Sequence, residues 1–105
     1  MTDYKIVLTT TDSREAAQKI AEALVNQRLA ACVNILPGVQ SIYRWEGKVE
    51  QATEWLLIIK TLGSSVNGLE TAIEQLHPYD VPEFIVVNVE SGSPPYLRWL
   101  ADSVK

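Results

Sequence analysis

The order of periodic segments along the chain (strand, helix, strand, strand, helix, strand) predicts an α+β domain of the ferredoxin-like βαββαβ type. Two further observations shape that prediction. The second and third strands are each long enough to overhang the two helices available to cover them. The seven residues His77-Pro78-Tyr79-Asp80-Val81-Pro82-Glu83 form a rigid polar connector. That connector cannot be helical, because each proline disfavours helical geometry at the residue before it and has no backbone N–H to donate.

The elements follow in order. Tyr4 to Thr10, rich in Ile6, Val7 and Leu8, reads as a strand buried on both faces. Asp12 and Glu15 have capping-box spacing, and Ala16, Ala17, Ile20, Ala23 and Leu24 then recur at helical intervals up to about Gln27. Leu29 to Tyr43 is strand-like, with a bulge or bend expected at Pro37-Gly38. Glu46-Gly47-Lys48 is the short link to an antiparallel return strand, Val49 to Thr61. On that strand Trp55, Leu57 and Ile59 share one face, and Glu54, Leu56, Ile58 and Lys60 the other.

Gly63-Ser64-Ser65 supplies a turn and N-cap, and Val66, Leu69, Ile73 and Leu76 mark a second amphipathic helix that stops at His77-Pro78. Glu83 to Glu90 is the fourth strand. After Ser91-Gly92-Ser93-Pro94-Pro95 a short C-terminal helix carries Tyr96, Leu97 and Leu100.

The 105 residues form a single domain, 1–105, and 47% hydrophobic with 21% charged residues is the composition of a soluble globular chain. Nine Lys and Arg scattered among thirteen acids give a net charge of −4, which argues against nucleic acid as a partner. The start, Met1 to Lys5, lacks a signal-peptide pattern, and the apolar run Trp55 to Ile59 is too short to span a bilayer, so no membrane partner and a cytoplasmic location are expected. A single cysteine, Cys32, fits a reducing compartment. Two helices cover one face of a four-stranded sheet, yet both faces of the second strand carry apolar residues. A second copy of the chain is the expected cover, and the chain is expected to be a homo-oligomer.

Cys32 and His77 are the only thiol and imidazole. One of each cannot close a zinc site, although the pair suits copper if carboxylates or another subunit complete the set. Packing in a strand is the better account of Cys32, and an interaction with the last helical carbonyls accounts equally well for His77. His77 with Tyr79, Asp80 and Glu83 has the chemistry of an acid/base group, but no nucleophile stands beside them in the sequence and no glycine-rich phosphate loop exists. Binding rather than catalysis is expected, and no catalytic residue is assigned. Trp45, Trp55 and Trp99 read as core or interface aromatics, and Glu54 and Lys60 as cross-strand pairing residues.

Four blocks in order, Ala30 to Asn34, Ser41 to Gly47, Glu54 to Thr61 and His77 to Glu83, resemble the CutA divalent-cation tolerance family over nearly the whole chain. The resemblance implies a homotrimer built through strands that extend between subunits, with an architecture similar to the PII signalling proteins. It also implies a role in tolerance or response to copper or another divalent cation, with no organic cofactor. The family's recurring residues fall on Cys32, Tyr43, Trp45, Gly47, Glu54, Lys60, His77, Tyr79, Pro82 and Glu83. Weak binding of Cu2+ or another divalent cation is therefore expected at His77, Cys32 and Glu83. Tyr43, Trp45, Glu54, Lys60 and Tyr79 are expected to line an intersubunit cleft, where a small metabolite or protein is the alternative ligand.

Overall fold

The computed structural model describes residues 3–105. Its elements are β1 (Tyr4–Thr11), α1 (Arg14–Asn26), β2 (Cys32–Trp45), β3 (Lys48–Leu62), one 3-10 turn (Gly63–Ser65), α2 (Val66–Leu76), β4 (Ile85–Asn88) and α3 (Pro94–Ser103). The sheet order is β2-β3-β1-β4, with every neighbouring pair antiparallel. This is the expected α+β architecture of a four-stranded sheet with its helices.

One face of the sheet meets α1 and α2. Val7, Leu57 and Ile59 pack there with Ala17, Ile20, Leu24, Leu69 and Ile73, and Val33, Ile35, Trp55 and Phe84 fill the margins. The opposite face carries Leu8, Ile58 and Ile85 in register, and no helix of the βαββαβ unit covers it. β1 is accordingly fully buried on the helix side only, at Val7, Thr9 and Thr11, and not on both faces as its composition suggests.

β2 and β3 form the long hairpin. An extra residue enters β2 between Leu36 and Val39, where Gly38 has a φ of 71°, so the expected bulge is present at Pro37-Gly38. The hairpin turns in two residues, Glu46 and Gly47, both with positive φ (49° and 78°). Left-handed values at both positions match the strand twist, which is the reason such two-residue turns join antiparallel strands. Lys48 therefore belongs to β3.

Three elements differ from the sequence reading by more than a residue or two or in how they are capped. Ser13, not Asp12, caps α1: its backbone is extended and its Oγ accepts the Ala16 N–H at 3.1 Å. Ala16 then occupies the third helical position, so Glu15 completes no capping box. β2 starts at Cys32 rather than Leu29, because α1 ends in a left-handed residue, Arg28 (φ 58°). Leu29 N–H donates back to the Leu24 carbonyl and Arg28 N–H to that of Val25, the pattern usually completed by glycine. β4 is four residues, not eight, since it pairs only with Lys5 to Leu8 and its edge has no other strand to extend it.

Candidate functional site

α2 ends where His77 becomes extended, with its N–H still donating to the Ile73 carbonyl at 2.8 Å. The His77 ring is buried and lies between two backbone groups. Nε2 is 2.7 Å from the Thr10 carbonyl, and Nδ1 is 3.1 Å from the Tyr79 nitrogen. A carbonyl only accepts and an amide N–H only donates, so the ring is neutral with its proton on Nε2. Both nitrogens are thereby used. The ring fastens the connector to β1 rather than reaching the helix's own carbonyls.

That clamp directs Tyr79. Its ring sits 4.7 Å from the imidazole, and its hydroxyl donates to Glu54 Oε2 at 2.7 Å. Glu54 is 7% exposed, although it lies beyond the end of β1 on the side away from the helices. Burial first, and then the hydrogen bond to the Glu54 carboxylate, hold the Tyr79 phenol protonated well above the usual tyrosine range. Glu83 is pushed up from the ordinary carboxylate value by burial and by the nearby Glu54 charge.

Around this pair lies an open cavity of about 600 Å³ whose lining includes Thr10, Tyr43, Trp45, Glu54, Tyr79, Asp80, Val81 and Glu83. The overhanging hairpin supplies Tyr43 and Trp45; β3 supplies Glu54, and the connector Tyr79 and Glu83. Five of the eight expected site residues thus converge. Lys60 does not: it is six positions from Glu54 on β3, about 20 Å along an extended strand, and its Nζ lies 5.6 Å from the Tyr96 ring centre. The expected cross-strand use of Glu54 and Lys60 is replaced by Glu54–Tyr79 and Lys60–Tyr96 contacts.

Cys32 is opposite Lys60 on β2, and its Sγ approaches Asn34 Oδ1 at 3.9 Å. Within one chain it is therefore remote from His77 and Glu83. Among the described residues no group of three or more His, Cys, Asp or Glu is placed to hold a metal ion. Trp55 is half-buried against the core, whereas Trp45 and Trp99 are exposed. Asp80, expected only as part of an acid/base group, lines the cavity as a third carboxylate beside Glu54 and Glu83.

The fold and site define a class: a ferredoxin-like α+β domain with a carboxylate and aromatic cleft under a projecting hairpin. The chain belongs to the family of the CutA1 divalent ion tolerance protein, whose model matches residues 5–103. It is 46% identical over 99 residues to the divalent-cation tolerance protein CutA of Thermus thermophilus, covering 94% of this chain and 96% of that one. It is 47% identical over 100 residues to the chloroplastic protein CutA of Arabidopsis thaliana, of which it spans only 55%.

Among solved structures, the Thermus thermophilus protein superimposes with a TM-score of 0.95 at 45% identity over 97% of this chain and 99% of that one. The structure titled periplasmic divalent cation tolerance protein CutA, from Archaeoglobus fulgidus, gives 0.94 at 34% identity, with 97% and 99% covered. The Thermus thermophilus and Archaeoglobus fulgidus proteins carry the name of divalent cation tolerance proteins. No helix of the described residues is long and apolar enough to cross a membrane.

Proposed function

We propose that this protein is a cytoplasmic homotrimer that responds to divalent cations and binds Cu2+ or a similar ion weakly. Family membership is the observation that carries the reading. Trimerisation is supported by the uncovered sheet face and by the exposed Ile42, Trp45 and Val49 on the hairpin, a surface that a second copy would bury. The ligands in this reading are Glu83, Cys32 and His77, contributed by more than one subunit. His77 coordinates by giving up either its Thr10 or its Tyr79 hydrogen bond. Such a loss costs about 0.5–1.5 kcal/mol net, in keeping with weak binding.

Copper titration of the wild type against Cys32→Ala, His77→Ala and Glu83→Gln tests the ligands, with lower affinity expected in each variant. Equal affinities throughout would remove all three. Light scattering at micromolar concentration tests the trimer, and a monomer there would end that part of the reading.

A second reading is favoured by the cavity itself: a signalling or scaffold trimer of PII-like architecture that takes a small molecule or protein where Tyr43, Trp45, Glu54, Tyr79 and Glu83 meet. A thermal-shift screen separates the two, because a ligand of the native state raises the melting temperature as its concentration exceeds Kd. Shifts with metabolites but not with copper would favour this second reading.

A further inference from the structure

We propose that Asn67 is a site of spontaneous covalent modification, its side-chain amide being converted to aspartate and isoaspartate through a cyclic imide formed with Gly68. The reaction needs water and no other reagent. It goes beyond the proposed function and does not depend on metal binding or on a ligand in the cleft.

The first observation is the residue that follows each asparagine. Asn26, Asn34, Asn67 and Asn88 are all exposed, and they precede Gln27, Ile35, Gly68 and Val89. In imide formation the backbone nitrogen of the following residue attacks the asparagine side-chain carbon, so a side chain on that residue stands in the way. Gly68 alone among the four has no Cβ, and its backbone turns with the least steric restriction.

The second observation is the weak start of α2. Ser65, the residue before the helix, has φ −101° and ψ −5° rather than the extended backbone of a capping residue, and it makes no side-chain cap bond. The first turn also carries no acid to complement the helix dipole. Asn67 and Gly68 are the second and third residues of α2, positions whose N–H groups find no acceptor within the helix itself. Helical backbone keeps the Gly68 nitrogen away from the Asn67 side chain, so attack takes place from the opened turn. An uncapped, exposed helix end opens at low cost.

The third observation concerns the side-chain amides. Asn88 Oδ1 accepts from Lys5 Nζ, and Asn34 Oδ1 lies 3.9 Å from Cys32 Sγ. At Asn67 the engaged group is the backbone carbonyl, which accepts the Thr71 hydroxyl at 3.2 Å.

In the first step the Gly68 nitrogen loses its proton and bonds to Asn67 Cγ, the bond from Cγ to the side-chain nitrogen breaks, and ammonia leaves. Water then opens the five-membered imide at either carbonyl. One opening gives aspartate; the other gives isoaspartate, in which the main chain runs through the side-chain carbons. Either product adds one negative charge to the −4 of the chain. Aspartate at this position suits the positive end of the helix dipole. Isoaspartate lengthens the backbone beside Gly68, which packs so near Leu29 that a Cβ there would meet Leu29 Cδ2 at 3.1 Å. The two products therefore act oppositely on the start of α2.

The test is prolonged incubation of the full chain at mildly alkaline pH, followed by isoelectric focusing and by peptide mapping with fragmentation that separates aspartate from isoaspartate. A more acidic species is expected, with both products at Asn67 while Asn26, Asn34 and Asn88 remain intact. Those three residues are controls within the same folded chain and need no variant. Gly68→Ala should abolish the acidic species, since the new methyl group hinders the attacking nitrogen.

Conversion at Asn67 no faster than at the other three asparagines overturns the proposal. So does conversion undiminished in Gly68→Ala. Aspartate without isoaspartate also overturns it, because direct hydrolysis of the amide, and not the cyclic imide, gives that product alone.

Discussion

The Tyr79 hydroxyl donates to Glu54 Oε2 at 2.7 Å, joining the exit of α2 to the middle of β3. Because Glu54 is nearly enclosed, this bond is a main source of compensation for its charge. Tyr79→Phe keeps the ring and removes the donor, so a loss of about 1–3 kcal/mol in urea unfolding is expected. In a Glu54→Gln background the same change should cost less, because an amide is cheaper than a carboxylate to leave without a donor. Additive losses in the double variant would disconnect the two residues.

Glu83 sets a pH dependence of definite sign. Its carboxyl is raised above the ordinary 4.5 in the folded protein by burial and by the Glu54 charge, so the folded state holds that proton more tightly than the unfolded state. The resulting stabilisation is complete below the unfolded value and is lost as pH rises through the folded one. Glu83→Gln removes this term. The melting temperature of the variant relative to wild type should therefore climb as pH is raised from about 4 towards neutrality. A difference that is flat or falls over that interval contradicts the assignment.

The parts of this arrangement that depend on local chemistry were legible in the sequence. Val66, Leu69, Ile73 and Leu76 recur at helical steps because a helix must present one apolar stripe, and Pro37-Gly38 marks the bulge because Gly38 takes a positive φ. The His77 to Glu83 segment announced a non-helical exit through its prolines. What could not be read was which polar groups meet across the fold. Glu54 has a cation six residues away on its own strand, yet its partner comes from a connector 25 residues on. Nothing in the spacing of Glu54, Lys60 and Tyr79 encodes that the hairpin and connector converge. Likewise Arg28 gives no glycine-like signal for a helix end, because its left-handed conformation is supported by contacts from the far end of the chain.

Thr9 offers a test of core polarity. Its side chain is fully buried on the helix face of β1, and its Oγ1 has no hydrogen-bond partner. Valine has nearly the same shape and suits a strand, so Thr9→Val removes an unsatisfied hydroxyl with little change in packing. A gain of about 1 kcal/mol is expected, visible as a rise of roughly 4–8 °C in melting temperature for a domain of this size. A decrease would mean that the hydroxyl is satisfied in solution.

Arg28 joins the ends of two helices, and substitutions there separate backbone strain from side-chain bonding. Its φ of 58° carries the left-handed penalty of a residue with a Cβ, about 1–2 kcal/mol. Against this, its guanidinium donates to the Asp102 carbonyl at 2.7 Å and to the Ser103 carbonyl at 3.3 Å, capping α3 with positive charge at its carbonyl end. Its own carbonyl accepts the Lys105 N–H at 3.0 Å, a bond that any residue at this position retains. Arg28→Ala keeps the strain and loses both side-chain bonds, whereas Arg28→Gly loses the bonds and relieves the strain. The alanine variant should therefore melt below the glycine variant, by an amount near 1 kcal/mol. Faster amide exchange in the last turn of α3 should appear in both, since both lose the guanidinium. Equal stability of the two variants would show that the left-handed turn is not a source of strain.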